Sequence, residues 1–310
     1  MKALVLGGGS MKGAFQVGAI KAILEDGFEP DMIYGVSVGA LNSTYLVNEA
    51  GKQHIEHDSI DWEFVARQLM AFWIKNITQP QDIALLRSRV SMGFNTLMSR
   101  FDGLLDPSPL HNLMRQNVDP FILRNSPVKL KVGAVNVTHG NMVYATPDHE
   151  FFMDYVRASS SLPMLMPAVP IGSTTEMFLD GGLRVVAPIH QAIEDGATEI
   201  ALVSCHAKQL YNRENFSSTN IISLIERVKD ITVNQIVNND IEWAESYAER
   251  SVLRGEPIKL TVIRPQEPLL LDLQRFTSED ITRLILDGYQ IGLDVIKRKK
   301  ETAQPSPPKK

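Results

Sequence analysis

Three short segments carry residue types and spacings suited to acyl-transfer chemistry. The sharpest is Gly35-Val36-Ser37-Val38-Gly39, a Gly-x-Ser-x-Gly pattern between an apolar run at residues 32–36 and a helix-like stretch at residues 40–48. A serine on such a strand-to-helix turn exposes its hydroxyl, and the following helix directs N–H groups toward developing negative charge. This is the setting of a nucleophile elbow. The second segment, Gly7-Gly8-Gly9-Ser10-Met11-Lys12-Gly13, joins an apolar run at residues 2–6 to a helix-like stretch at residues 13–25. It fits neither nucleotide fingerprint. Counting from Gly7 puts Lys12 where a dinucleotide loop needs its third glycine, counting from Gly8 puts Ser10 where it needs the second, and Gly13 is followed by Ala14-Phe15 where a phosphate loop needs Lys-Ser or Lys-Thr. Beside an elbow, a glycine loop with free N–H groups can instead act as an oxyanion hole. The third segment is Leu179-Asp180-Gly181-Gly182, an apolar stretch that ends in a carboxylate and two flexible glycines. Alone, it reads as an Asx turn.

Acyl transfer also needs a base. In the usual α/β hydrolase order several strands precede the elbow and a histidine follows it, whereas Ser37 comes after only the second strand-like run. None of His54, His57, His111, His139, His149, His190 and His206 stands in a motif-like setting, with His190 left open as the competitor to Asp180. The lone cysteine, Cys205, excludes an intramolecular disulfide framework and any Cys-rich metal site and is expected to be a small core residue.

Positioning these segments requires strands that end at one edge of a common sheet. Residues 2–6 and 32–36 are short apolar runs, each followed by a turn and a helix-like stretch, the pattern of a parallel sheet covered by helices. Further strands are expected at residues 128–137, 142–145, 177–179, 199–204 and 258–263, with long amphipathic helices at 220–253 and 278–297. The second of these helices is opened by Thr277-Ser278-Glu279-Asp280 as a cap. The fold class is therefore α/β, with a mainly parallel central sheet and helices on both faces. Residues 1–296 are read as one domain with a helical insertion at about 50–125, and residues 297–310 as a disordered, basic, proline-rich tail. Within that insertion, Met70, Phe72, Trp73, Leu85, Leu86, Met92, Phe94, Leu97, Met98 and Phe101 lie among scattered arginines, a composition that fits either a mobile cap over the site that touches lipid surfaces or, equally, a plain packed helical subdomain.

The chain of 310 residues is 44% apolar and 22% charged, the balance of a globular protein with a large core. Its 31 basic residues against 36 acidic ones leave a net charge of −5, so no global basic field favours a nucleic-acid partner. No apolar stretch reaches the roughly 18 residues of a membrane-spanning helix, and the N-terminal run is too short for a signal peptide, so a cytoplasmic place with peripheral membrane contact is expected.

Taken in order, the glycine loop 7–13, the elbow 35–39 and Asp180-Gly181-Gly182 resemble the patatin-like phospholipases. Ala158-Ser159-Ser160-Ser161-Leu162-Pro163-Met164-Leu165-Met166-Pro167 resembles the block those proteins carry shortly before their Asp-Gly pair. The resemblance spans about residues 3–190. It implies a three-layer fold and a lipid acyl hydrolase using a Ser-Asp dyad. Ser37 then takes the nucleophile's place, Asp180 the base's, Gly8, Gly9 and Ser10 the oxyanion loop's, and Lys12 the basic, substrate-binding position. Gly7, Gly13, Gly35, Gly39, Gly181 and Gly182 are its motif glycines. Ser10 departs from the pattern, since the family often has glycine there, so its backbone must accommodate a side chain.

An aspartate with an ordinary pKa near 3.9 is a poor base for a hydroxyl, so the site around Asp180 must be partly desolvated. The chemistry expected is attack by Ser37 on an ester carbonyl, an acyl-enzyme and its hydrolysis, with no metal or cofactor. Two other readings share these residues: an acyltransferase that hands the acyl group to an acceptor other than water, and a catalytically silent lipid-binding scaffold.

Overall fold

The computed structural model describes residues 1–87, 103–212, 219 and 221–303. The expectations for Met92, Phe94, Leu97, Met98 and Phe101, and for the chain beyond residue 303, lie outside the described residues.

Among the described residues the main sheet has eight strands: β1 (Lys2–Leu6), β2 (Met32–Val36), β5 (Lys129–Asn136), β6 (Asn141–Ala145), β7 (Val169–Pro170), β8 (Met177–Asp180), β9 (Glu199–Val203) and β10 (Lys259–Ile263). Their order is β10-β9-β1-β2-β5-β8-β7, with β6 on β5. β10, β9, β1, β2 and β5 are parallel, and β6, β7 and β8 join antiparallel. A mainly parallel sheet is buried on both faces, which is why β2 reads as one unbroken apolar run.

Alternate side chains of the same strands feed two cores. Leu4, Leu6, Ile33 and Val203 face α1 (Gly13–Glu25), α2 (Val38–His57), α3 (Trp62–Asn76) and the C-terminal helix Ser278–Ala303. Ala3, Val5, Tyr34 and Leu202 face two other helices, Ile189–Glu194 and Ile221–Leu253. The three layers expected are therefore present. With α4 (Ser108–Asn117), α5 (Pro120–Asn125) and α6 (Phe152–Ser159) in between, those last three helices become, in chain order, α7 (Ile189–Glu194), α8 (Ile221–Leu253) and α9 (Ser278–Ala303). The cap read before α9 is formed: Thr277 N–H donates to Asp280 Oδ2 at 3.1 Å and Asp280 N–H donates back to Thr277 Oγ1 at 3.4 Å.

Two expectations about organisation are corrected. α3 does not cap the cleft described below; its Trp62, Val65, Leu69, Phe72 and Trp73 are buried in the core shared with α1 and α2. Asp61 starts it by accepting from Phe64 N–H at 2.8 Å, and Trp73 Nε1 donates to Asn42 Oδ1 at 2.8 Å. The stretch also holds a short antiparallel pair, β3 (Leu85–Leu86) with β4 (Leu105–Asp106), that its composition did not announce. The tail expected to be disordered from residue 297 is helical through Ala303, where Lys299 bonds Thr261 and Lys300 pairs with Asp26. Asp26 thus offsets one charge of the basic run.

Candidate active site

β5 acts as a ruler for the site. β2 lies alongside its first half, with Val36 opposite Gly133, and β8 continues along the same edge in the opposite direction, with Asp180 opposite Ala134. β6 occupies the other edge. The residue after Val36 and the last residue of β8 therefore meet head to head: Ser37 Oγ donates to Asp180 Oδ2 at 2.6 Å.

Ser37 sits between β2 and α2 at φ 58, ψ −127, a conformation a side chain rarely adopts and one that costs on the order of 1–3 kcal/mol. Several contacts hold it there. Its N–H donates to Ser159 Oγ at 2.9 Å, and that hydroxyl donates to Gly133 O at 2.6 Å. Its carbonyl accepts from Ala40 N–H at 2.9 Å and so begins α2. A side chain at Gly39 would collide with the Leu6 carbonyl, so the elbow can close against β1 only with glycine there.

Asp180 is 4% exposed. Its Oδ1 accepts from Gly182 N–H at 2.7 Å, and its own N–H donates to Ser161 O at 3.0 Å. Burial pushes the carboxyl up to about 6, while the bonds from Ser37 and Gly182 and the charge of Lys229 pull the other way. The nearest cation in sequence, Arg184, is turned aside, donating to Gly140 O at 2.5 Å. The burial of Asp180 is the desolvated setting that a carboxylate would need to act as a base.

The glycine loop passes over Ser37. A Cβ at Gly8 would stand 3.3 Å from Ser37 Cβ, a crowded contact that glycine avoids. The expected donor set is corrected at this residue: Gly8 N–H is directed to Val186 O at 2.9 Å, and Gly7 N–H to Val203 O at 3.1 Å. Gly9 and Ser10 are the candidate donors that remain. Ser10 has φ 54, the left-handed conformation that glycine favours, and it carries its side chain there. Val186 is held in turn by Asp240 of α8, whose Oδ2 accepts from Val186 N–H at 3.1 Å and Ala187 N–H at 2.9 Å. Burial pushes Asp240 up to about 6 as well.

Ser37, Asp180, Gly8, Gly9, Ser10 and Lys12 open on one cleft of about 240 Å³. Its walls come from the loop after α6, the 207–211 loop, the N-terminal part of α8 and residues 268–273, and their surface is mainly apolar. Among the described residues, none of 38–161 borders it. His190, the other base that the chain's chemistry left open, lies outside, with Nδ1 3.3 Å from Glu194 Oε1 and its ring against Trp243 at 4.4 Å. Cys205 is buried, and burial raises its thiol to about 12. Sequence reading gave no role to Ser159, His206, Lys229 or Asp240. Ser159 stood in a recognised block, but nothing in the spacing marks the other three.

Among the described residues no helix is long and apolar enough to cross a membrane, and no group of three or more His, Cys, Asp or Glu is arranged to hold a metal ion. A strained serine bonded to a buried, weakly acidic carboxylate beside a glycine loop and an apolar cleft can carry out nucleophilic attack on an ester.

Neuropathy target esterase sws of Drosophila melanogaster and that of Drosophila erecta are each 41% identical to the chain over 59 residues, which is 19% of this chain and 4% of theirs. The chain thus matches a small fraction of the length of these relatives. Among solved structures, VipD from Legionella pneumophila aligns with 96% of this chain and 67% of its own at 15% identity and a TM-score of 0.42. The ExoU-SpcU complex of Pseudomonas aeruginosa aligns with 97% and 52% at 14% identity and 0.36. Both scores are too low to bear on the site. The model of the patatin-like phospholipases matches residues 4–193, well over half of the chain and all four motif blocks, and the protein belongs to that family.

Proposed function

We propose that the protein is a serine lipid acyl hydrolase of the phospholipase A, lysophospholipase or carboxylesterase type, working through an acyl-enzyme on Ser37 with Asp180 as general base. The observation that carries this reading is the 2.6 Å bond between Ser37 Oγ and Asp180 Oδ2 in a buried site open to an apolar cleft.

In the first step the Ser37 hydroxyl proton passes to Asp180 as Oγ bonds to the ester carbonyl carbon, and the developing oxyanion is met by Gly9 and Ser10 N–H. Collapse breaks the carbon–alkoxide bond, the alkoxide takes the proton from Asp180, and the acyl group stays on Oγ. Water then attacks the acyl carbon while Asp180 takes its proton, and the fatty acid leaves as the proton returns to Ser37. A base with pKa about 6 suits this work, being ionised near neutral pH yet basic enough to assist a hydroxyl. Positioned base catalysis contributes about 10²- to 10⁴-fold. Oxyanion donors contribute about 10²- to 10³-fold each.

The lipid-facing surface belongs at the cleft mouth in this reading. Met164, Leu210, Tyr211, Val228 and Leu270 border the cleft and are exposed, which supports peripheral contact with a lipid surface there. The deciding experiment is turnover of a nitrophenyl acyl ester by the purified protein and by Ser37→Ala. Equal turnover by the two folded proteins would sink the mechanism. Added alcohol or thiol acceptors then separate hydrolysis from acyl transfer by the product formed.

A further inference from the structure

Two side chains that the dyad chemistry leaves unused share its cleft. His206, just past β9, is 8% exposed, and its buried Nε2 has no hydrogen-bond partner among the described residues. Burial, with the charges of Lys12, Lys229 and Arg264, pushes the imidazole down to about 3, so the ring is neutral. The Gly8 backbone favours a proton on the ring, and with that proton on Nδ1 the buried Nε2 is a lone-pair acceptor. A buried acceptor with nothing to accept is costly unless a ligand completes it.

Lys229 is the second. It lies on α8 in the cleft wall, one helical turn from both Ile225 and Val233, which line the same cleft. Lys229 has no hydrogen-bond or ion-pair partner among the described residues, although its charge acts on both Asp180 and His206. The acidic neighbours Glu226 and Asp230 are each engaged in an interaction of their own, and so is Lys12, which adds to the positive field of the cleft. A partly buried ammonium and an unfilled acceptor beside the reacting groups match a phosphate with an adjacent hydroxyl.

We propose that Lys229 and His206 form a subsite for the phosphate-bearing head group of the ester substrate, Lys229 pairing with the phosphate and His206 Nε2 accepting from a neighbouring hydroxyl. The proposal rests on the hydrolase reading for its substrate, and both residues lie beyond the stretch that the family model matches.

The test compares the full chain with Lys229→Met, which keeps length and helix preference, and Lys229→Arg, which keeps the charge, all checked for fold by circular dichroism. Two readouts are used: the ratio of kcat/KM for a lysophosphatidylcholine over a monoacylglycerol of the same chain, and binding of inorganic phosphate by calorimetry. Expected is a drop of about 10- to 100-fold in the ratio for Lys229→Met, with largely restored selectivity in Lys229→Arg and weakened phosphate binding in Lys229→Met. An unchanged ratio with lost phosphate binding identifies a free-anion site and overturns the head-group assignment. Unchanged ratio and unchanged binding in folded Lys229→Met overturn the subsite altogether. If wild-type protein turns over neither ester, the hydrolase reading fails, and Lys229-dependent phosphate binding still decides whether the anion site exists.

Discussion

Ser37 and Asp180 lie 143 residues apart in sequence and share a 2.6 Å hydrogen bond because β2 and β8 pair end to end along one edge of β5. Gly133 and Ala134 are successive residues of that strand, and each partner strand stops at one of them. Side chains held at the ends of two strands on a rigid sheet need little reorganisation to react, which is the arrangement that electrostatic preorganisation requires.

Ser37→Ala is expected to abolish both fluorophosphonate labelling and ester turnover while leaving thermal unfolding close to wild type, since the alanine inherits the same φ of 58. Mass spectrometry of the labelled wild-type protein should place the adduct on Ser37. A major adduct on another serine would remove the assignment.

Asp180→Asn should lower the acylation rate by about 10²- to 10⁴-fold. In the wild type, kcat/KM should rise with pH through about 6 and then level off, because the carboxylate must be ionised to act. Stability follows the opposite trend. The folded-state pKa is raised above the unfolded value near 3.8, so the contribution is fully present below about pH 4 and is lost as pH rises through about 6. The loss is on the order of 3 kcal/mol. Urea titrations of wild type and Asp180→Asn at pH 4 and pH 8 isolate it, since the similarly raised Asp240 is common to both. A wild type that gains stability relative to Asp180→Asn between those pH values would contradict the sign.

Asp240→Ala should slow fluorophosphonate labelling of Ser37 and lower kcat with little change in KM. Asp240 fixes Val186 and Ala187, and Val186 fixes Gly8 directly above the serine. Asp240→Asn keeps an oxygen acceptor and should restore most of the rate, an outcome that general destabilisation would not produce. Stopped-flow labelling of the three proteins checks it.

His190→Ala is expected to cost far less than tenfold in turnover, because that ring is outside the cleft and pairs with Glu194. Turnover is also expected to survive EDTA, since both Asp180 oxygens are already engaged by Ser37 and Gly182. Loss of activity on chelation with recovery on adding calcium would show a metal requirement.

Charge placed at the cleft mouth should weaken vesicle binding. Met164→Glu and Leu270→Glu, at residues 52% and 59% exposed, should reduce co-sedimentation with phospholipid vesicles, whereas Leu86→Glu, 69% exposed on β3 and not among the residues that border the cleft, should not. Equal loss in all three would place lipid contact elsewhere.

The amino-acid sequence by itself determined the α/β class, the strand-turn-helix units around residues 7–13 and 35–39, and the residue types of the candidate site, because these depend on local periodicity and on turns that only small residues permit. It also placed Asp180 at the end of an apolar strand. That this strand runs along β5 toward Ser37 is a matter of register between segments distant in sequence, and only the tertiary structure decided it. The same holds for Gly8, whose N–H is spent on a carbonyl from residue 186, and for α3, whose apolar face reads identically whether it meets a core or a lipid surface. His206, Lys229 and Asp240 acquire their places only when β9 and α8 fold over the elbow. A lone histidine, lysine or aspartate has no spacing signature, and its chemistry comes from burial and from the neighbours that folding supplies.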